Sequence, residues 1–480
     1  MGGGRSSQKI KKDCSVINYL NDMPVGKFDW GLLVLMMIFM YFTLYYEDII
    51  IIYKHSLTWL DSLFHMDLNN FYANTLANSY NGVGAVYYWT VYMVIGIWNL
   101  PIFVLNKLFG INMFTAKAFL WCKLEIVFFL LLSAWMIGKI LKDFDYSKEK
   151  IKFAQFMFLS SLMVLLPTMA IAQVDIITTF LMLWGMREYL KTDVVSVKFL
   201  LIFSFAASLK VFALFLFLPL VFLKEKRILY VVKDMIIGLV FSMLCILPYS
   251  WRTDYHESSD FLTEIMTKRL FSVVFPGGNS QIPAFISILI AICIFAYALE
   301  IQGKNKYFQY VVWIGAVVFS DFFIFVFAHP YWIVLLAPYI VILMMQNPVG
   351  TKVNIILEFC FSTAITVYYA ANFGVYITEN SLGYLVLARL GLKSNETGFG
   401  SFGEWFKQSF LANYLSVLFG IFSVCLIAFL IYNFPGLPKN KITEKELNAE
   451  KIKFDHGMIY LRLFMIAMFI FLNIYFMYFG

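Results

Sequence analysis

The run WGLLVLMMIFMYFTLYYED, from Trp30 to Asp48, decides the class of fold. Trp30–Tyr46 carries no charged side chain. As a helix rising 1.5 Å per residue it is long enough to span the hydrocarbon of a bilayer. Glu47 and Asp48 close it with an acidic pair at a membrane boundary. The chain around it has 480 residues, 61% hydrophobic and only 14% charged, too little polar surface for a soluble protein of this size. Apolar runs recur along its length. Because helices satisfy their own backbone polar groups in lipid, an all-α polytopic membrane protein is the expectation. No alternating pattern of the kind a transmembrane β-barrel needs is present.

The net charge of +7 reads as a topology signal, because the basic residues gather between the apolar runs. No nucleic-acid partner is expected from it. The six cysteines form neither a CxxC nor a Cys/His spacing, so no disulfide framework or zinc site is favoured. Arg5, Lys9, Lys11, Lys12 and Lys27 hold the N-terminus in the cytoplasm, and Trp30–Tyr46 reads as a retained helix, not a cleaved signal. The charged stretch Lys142–Lys152 is the next cytoplasmic anchor. Two crossings therefore lie between them, Trp30–Tyr46 and Ala116–Leu141, with residues 47–115 as one large external loop. Within it, Ser56–Ala77 has the spacing of an amphipathic surface helix. Val83–Leu108 is apolar enough to cross, but Asn99-Leu100-Pro101 interrupts it, which favours a surface or re-entrant helix.

Beyond Lys152 the expected spans are Phe153–Ala172, Asp175–Tyr189, Val197–Leu209, Val211–Leu223, Ile228–Pro248, Ile282–Ile301, Tyr310–Ala328, Tyr331–Met345, Val353–Ala371, Leu411–Tyr432 and Met458–Tyr478. Ser250–Gln281 and 373–410 are expected as external loops. The total is about 13 transmembrane helices, divided into a core over 1–345 and C-terminal helices over 346–480. The pair flanking Lys210 is short, so that lysine is expected to lie sunk below the outer surface.

Four polar positions converge on the external side: Glu47/Asp48, Gln173/Asp175, Lys210 and His329. Ionisable groups at membrane depth are costly and usually face a polar cavity. Each also has a plainer reading. Asp48 can finish an exposed helix end, Asp175 can be an N-cap, Lys210 can snorkel, and His329-Pro330 can shape a tight turn. Of the acidic pair Asp48 is favoured, since Ile49–Ile52 orients only one carboxylate toward the bundle. Lys268 and Arg269 can bind phosphate as point charge and fork, or be solvated loop charges. No GxxxxGK[ST], GxSxG or DxD-like motif occurs, which speaks against ATP hydrolysis, serine-nucleophile chemistry and a nucleotide-sugar domain.

These residues, in this order, resemble the polytopic type-C glycosyltransferases (the GT-C fold), nearest to the aminoarabinose and polyprenyl-phosphate-mannose transferases. Val86-Tyr87-Tyr88-Trp89, followed by Lys107-Leu108-Phe109-Gly110, is similar to that group's Tyr-Tyr-Trp loop and its continuation, without the paired prolines. Lys117 stands where an arginine is usual. Ala172-Gln173-Val174-Asp175 resembles the Gly-Gln-x-Asp stretch of the bacterial mannosyltransferase-like branch, and Ser208-Leu209-Lys210-Val211 its lysine helix pair. His329-Pro330-Tyr331-Trp332 is similar to a His-Glu-Arg-Tyr turn that has lost its Glu and Arg. The resemblance spans about Tyr45 to Pro338 and leaves the C-terminal third unmatched.

The resemblance implies a cell-envelope enzyme of the plasma membrane that moves a sugar from a polyprenyl-phosphate-linked donor to an extracytoplasmic acceptor, whether glycan, lipid or protein. Asp48 would be the general base, with Glu47 the lesser candidate. Lys210 would meet the lipid phosphate with His329. Lys268, Arg269 or Arg252 would replace the missing arginine. Gln173, Asp175, Tyr88 and Trp89 would line the substrate cavity. No cofactor is required, and a divalent metal stays open. The rival reading is a transporter or flippase for a lipid-linked sugar, which would favour mid-span charges and two repeated halves. The sequon Asn395-Glu396-Thr397 lies in the last external loop and would matter only in a secretory pathway.

Overall fold

The computed structural model describes residues 25–44, 46, 48–79, 82–277, 280–347, 350–374, 376–377, 402–437 and 456–478. Glu47, the basic N-terminal segment and the sequon lie outside them. The described chain is helical apart from one antiparallel hairpin, Val274–Gly277 paired with Ser280–Pro283. Among the described residues six helices are long and apolar enough to cross a membrane, or up to nine if each of three bent helix pairs is one span. The chain is thus a multi-pass, helical membrane protein. The expected thirteen spans are not all reached by length, because several apolar helices have only 10–17 residues.

Breaks in the helices organise the bundle. The first apolar segment ends as α1 (Lys27–Thr43), and the chain turns by 67° into α2 (Asp48–Phe64). A helix end leaves carbonyls without amide partners, and in an apolar interior those need another donor. Lys123, on the helix α5 (Ala116–Asp143), supplies it. Its Nζ donates to the carbonyls of Met40 (2.8 Å), Tyr41 (3.1 Å) and Leu44, and the side chain is 0% exposed. Three acceptors match the three protons of an ammonium group. Asp48 follows directly as the first residue of α2.

The expected single surface helix over Ser56–Ala77 is instead the end of α2, a 3₁₀ turn (Leu68–Asn70) and the short α3 (Phe71–Ala77). Met66, with φ +55°, breaks it, and Asp67 accepts from the amides of Asn70 and Asn74 across the break. Asn99-Leu100-Pro101 does not interrupt the next helix. α4 runs unbroken from Trp89 to Phe109 with Pro101 inside it. Proline removes one backbone bond, the one to the carbonyl four residues back at Ile97, a loss that membrane helices tolerate. The Asn99 side-chain amide bonds separately, to the carbonyl of Ile95 at 2.9 Å. α2 and α4 pack closely at Gly96, where a Cβ would lie 3.1 Å from the carbonyl oxygen of Ser56.

The segment expected as one span over Phe153–Ala172 is also broken. α6 (Lys148–Leu159) and α7 (Leu162–Leu165), which continues as a π-helical turn over Leu166–Ala170, meet at 59°. α8 (Asp175–Leu190), α9 (Val197–Leu209) and α10 (Ala213–Lys224) follow, and Lys210 occupies the junction of the last two. Ile228–Pro248 divides into α11 (Ile228–Gly238) and α12 (Val240–Ile246), bent by 45°. The expected loop Ser250–Gln281 contains the charged helix α13 (Thr253–Leu270) before the hairpin. The rest of the bundle is α14 (Ala284–Ala298), α15 (Lys304–Phe325), a 3₁₀ turn over Pro330–Leu335, α16 (Ala337–Gln346), α17 (Thr351–Phe373), α18 (Phe402–Gln408), α19 (Leu415–Tyr432) and α20 (His456–Tyr478).

Replacing Lys123 with methionine keeps the apolar stem and removes the donor for the end of α1. The expected loss is on the order of 2–3 kcal/mol, the cost of buried carbonyls left without partners. It is read as a lowered unfolding midpoint of the purified protein in detergent. A midpoint within error of the parent chain would show that the α1 carbonyls need no such cap.

Candidate functional site

Four helix breaks deliver one cluster of polar side chains. Asp48 opens α2. Gln173 and Asp175 sit where the π-helical turn gives way to α8, past Ala172 at φ +59°. Lys210 sits between α9 and α10, and Tyr331 and Trp332 lie in the 3₁₀ turn that follows His329. Gln173 Nε2 donates to Asp48 Oδ2 at 2.8 Å, and the Tyr331 phenol lies close by. Lys210, 6% exposed, places Nζ 3.4 Å from Asp175 Oδ1. The same Nζ lies 4.2 Å from the ring centre of Tyr87 and 5.8 Å from that of Trp332. An ammonium over the negative face of an aromatic ring is attracted to it, more so when desolvated. Lys210 is therefore held as a cation by one carboxylate and two rings.

Several polar atoms of this cluster are buried without a hydrogen-bond partner among the described residues: both Asp175 carboxylate oxygens, Gln173 Oε1 and Trp332 Nε1. At 3.4 Å the Lys210–Asp175 contact is an ion pair without a formed hydrogen bond. Buried polar groups are normally satisfied, so this concentration sets the cluster apart from the surrounding core.

On its flank His329 stacks on Tyr331, centroids 5.3 Å apart, and meets Trp332 edge-on at 4.9 Å. Arg269, from the end of α13, lies 5.5 Å from the ring centre of Phe327 with Nη1 buried and unpartnered, and its charge acts on both His329 and Tyr331. Burial, then the positive charges of Arg269 and Lys210, push the His329 imidazole down to about 4.

The fold thus brings together Asp48, Gln173, Asp175, Lys210, His329 and Arg269. It does not bring in Lys268, which is exposed and paired with Glu264 at 2.5 Å. Arg252 is likewise engaged by Asp254 and Asn70. Of the three basic candidates only Arg269 faces the cluster. The tyrosine over Lys210 is Tyr87; Tyr88, expected to line the substrate cavity, lies near Tyr255 and Cys245. Trp89 opens α4 and packs against the core. Tyr87 and Tyr331 had a signal, since both stand inside the aromatic motifs, but no helical phase was available to choose between adjacent rings. Lys123, Glu358 and Arg462 stand inside apolar runs, and the sequence reading assigns them no role.

An open cleft lies away from this cluster. It has a volume of about 440 Å³ and runs between Asp61, His65, Asn74 and Lys107, and none of its lining residues belongs to the Asp48 cluster. Among the described residues no three His, Cys, Asp or Glu side chains are grouped to hold a metal ion. Comparison of the chain with protein-family models, with curated proteins and with solved structures finds no match.

The His329 environment carries a pH signature. Its folded value of about 4 lies below the ordinary 6.5, so between these the unfolded chain binds more protons. The contribution of neutral His329 to stability is fully present above about pH 6.5 and is lost as pH falls toward 4. His329→Gln should flatten this part of the stability profile, measured as unfolding midpoints at pH 7 and pH 5. A profile as steep as that of the parent chain would place the imidazole in solvent.

Proposed function

We propose that this chain is a membrane glycosyltransferase of the type-C kind, moving a sugar from a polyprenyl-phosphate donor to an acceptor hydroxyl on the extracytoplasmic side of the plasma membrane. The observation that carries the reading is a partly exposed carboxylate, Asp48, oriented by Gln173 in the same cluster as the buried cation Lys210. Glycosyl transfer needs such a pair. As the acceptor oxygen bonds to the anomeric carbon it must lose its proton, and Asp48 takes it. The bond from that carbon to the phosphate oxygen breaks with its electron pair leaving on the phosphate. Lys210 and Arg269 stabilise the charge that develops there. Attack opposite the departing phosphate inverts the sugar carbon. His329, kept neutral, donates or accepts a hydrogen bond without adding a third positive charge. The activated sugar supplies the driving force, so no nucleotide is consumed. About thirteen crossings, with the short helices tilted or sunk around Lys210, belong to the same proposal.

Arg269 supplies in this reading the phosphate contact that the turn at His329 lacks. Its unpartnered Nη1 and its proximity to Tyr331 support that assignment over Lys268 and Arg252.

The test is transfer of radiolabelled sugar from polyprenyl-phosphate donors in membranes carrying the chain. Asp48→Asn at equal expression should lower the rate by roughly 10²–10⁴-fold, the usual contribution of a positioned base. Lys210→Ala and Arg269→Ala should weaken donor use, while Lys268→Ala should leave it unchanged. Transfer indifferent to Asp48→Asn would sink the base assignment. A folded chain that transfers no sugar from any donor would return the choice to a transporter of lipid-linked sugar.

A further inference from the structure

The kink between α6 and α7 is held from the far end of the chain. Ser161 N turns to the carbonyl of Phe158 at 3.2 Å instead of that of Met157, which a regular helix would use. Met157 O is thereby freed, and Arg462 Nη2 on α20 donates to it at 2.9 Å. Arg462 Nε donates to Ser160 Oγ at 2.8 Å. Its guanidinium also pairs with Glu358 on α17, through Nη1 to Oε2 and Nη2 to Oε1. Glu358 Oε1 in turn accepts from Ser161 Oγ at 2.8 Å. Arg462 and Glu358 are 3% and 1% exposed. A pair so deeply buried is a doubtful source of net stability, and its clearest use is to specify one geometry.

The geometry it specifies leads to the site. From Ser161 the buried arm of α7 and the π-helical turn runs to Gln173 and Asp175, with Gln173 N anchored on Pro167 O at 3.2 Å. A second tie of the same origin holds the opposite wall. Tyr376 OH, just past α17, donates to Pro330 O at 2.7 Å, and Asn473 Nδ2 on α20 donates to Tyr376 O at 2.7 Å. Pro330 immediately precedes Tyr331 and Trp332.

We infer that Glu358, Arg462, Tyr376 and Asn473 are positioning residues, and that the C-terminal helices set the two walls of the Asp48–Lys210 cluster separately. The Arg462 tie places the Gln173–Asp175 arm against Asp48, and the Tyr376 tie places the Tyr331–Trp332 turn against Lys210. This rests on the glycosyltransferase reading only for its kinetic consequence.

The direct test uses a cysteine-free chain carrying Asp48→Cys and Gln173→Cys, joined by a short bifunctional thiol reagent in membranes. Crosslinking should be efficient in the parent, fall severalfold with Arg462→Lys, which cannot make the fork, and stay unchanged with Tyr376→Phe. Undiminished crosslinking in Arg462→Lys overturns the inference, whatever the catalytic result. If Arg462→Lys does not fold, the Glu358→Gln/Arg462→Gln pair, which removes both charges together, is read in the same way.

The second readout is kinetic. Arg462→Lys should lower kcat about tenfold with the donor KM unchanged, and Tyr376→Phe should raise the donor KM about tenfold, the worth of one lost hydrogen bond in each case. A merely structural role would reduce the active fraction alike in both and leave KM alone. Crosslinking that falls as expected, while the chain with Asp48 intact transfers no sugar, keeps the inference and overturns the glycosyltransferase reading instead.

Discussion

A helix broken inside a bilayer exposes carbonyls that neither water nor its own amides can reach, and this constraint shapes the protein. The answer recurs as a basic side chain laid on those carbonyls. Lys123 closes the end of α1 and Arg462 fills the gap between α6 and α7. At more exposed helix ends the same device recurs: Lys224 Nζ donates to the carbonyls of Tyr189 and, at 2.6 Å, Thr192 past the end of α8, and Lys226 Nζ to Ala296 (3.0 Å) and Tyr297 (2.6 Å) at the end of α14. A cation at a helix C-terminus also meets the negative end of the macrodipole. Breaks that would be liabilities in a straight bundle thus become stable corners, and the corners are where the chemically capable side chains stand.

Within the cluster, charge is balanced by unequal means. Lys210 has one carboxylate close by and aromatic faces for the remainder. Asp48 is held by a hydrogen bond from a neutral amide. An anionic ligand entering beside Lys210 competes with Asp175 for it, while Asp48 keeps its own donor. The Asp48 carboxylate and the Lys210 cation are therefore supported independently of one another.

Much of the helical character was legible from apolar run length alone, and the short helices flanking Lys210 were placed within a few residues. The breaks were not. Run length cannot see a turn at Met66, which its positive φ and the short-range bonds of Asp67 fix, nor the Ser160–Ser161 kink, which is fixed by a partner remote in sequence. Pro101 misled in the opposite direction, since a local helix breaker was outweighed by the packing around α4. Asp48, Gln173, Asp175 and Lys210 were legible because ionisable and amide groups at the ends of apolar runs are conspicuous. Tyr87 and Tyr331 were not singled out, because an aromatic ring in an aromatic-rich chain stands out only once its phase is known.

The tie between Met157 and Arg462 crosses 305 positions of the chain. During synthesis at a membrane, α6 and α7 enter the bilayer long before α20 exists. Until then the carbonyl that will receive Arg462 must be satisfied by a straighter helix, by water or by another protein. The kink therefore belongs to a stage of assembly after α20 has docked against the earlier helices, so it is set by completed packing and not by the order in which its own residues enter the membrane.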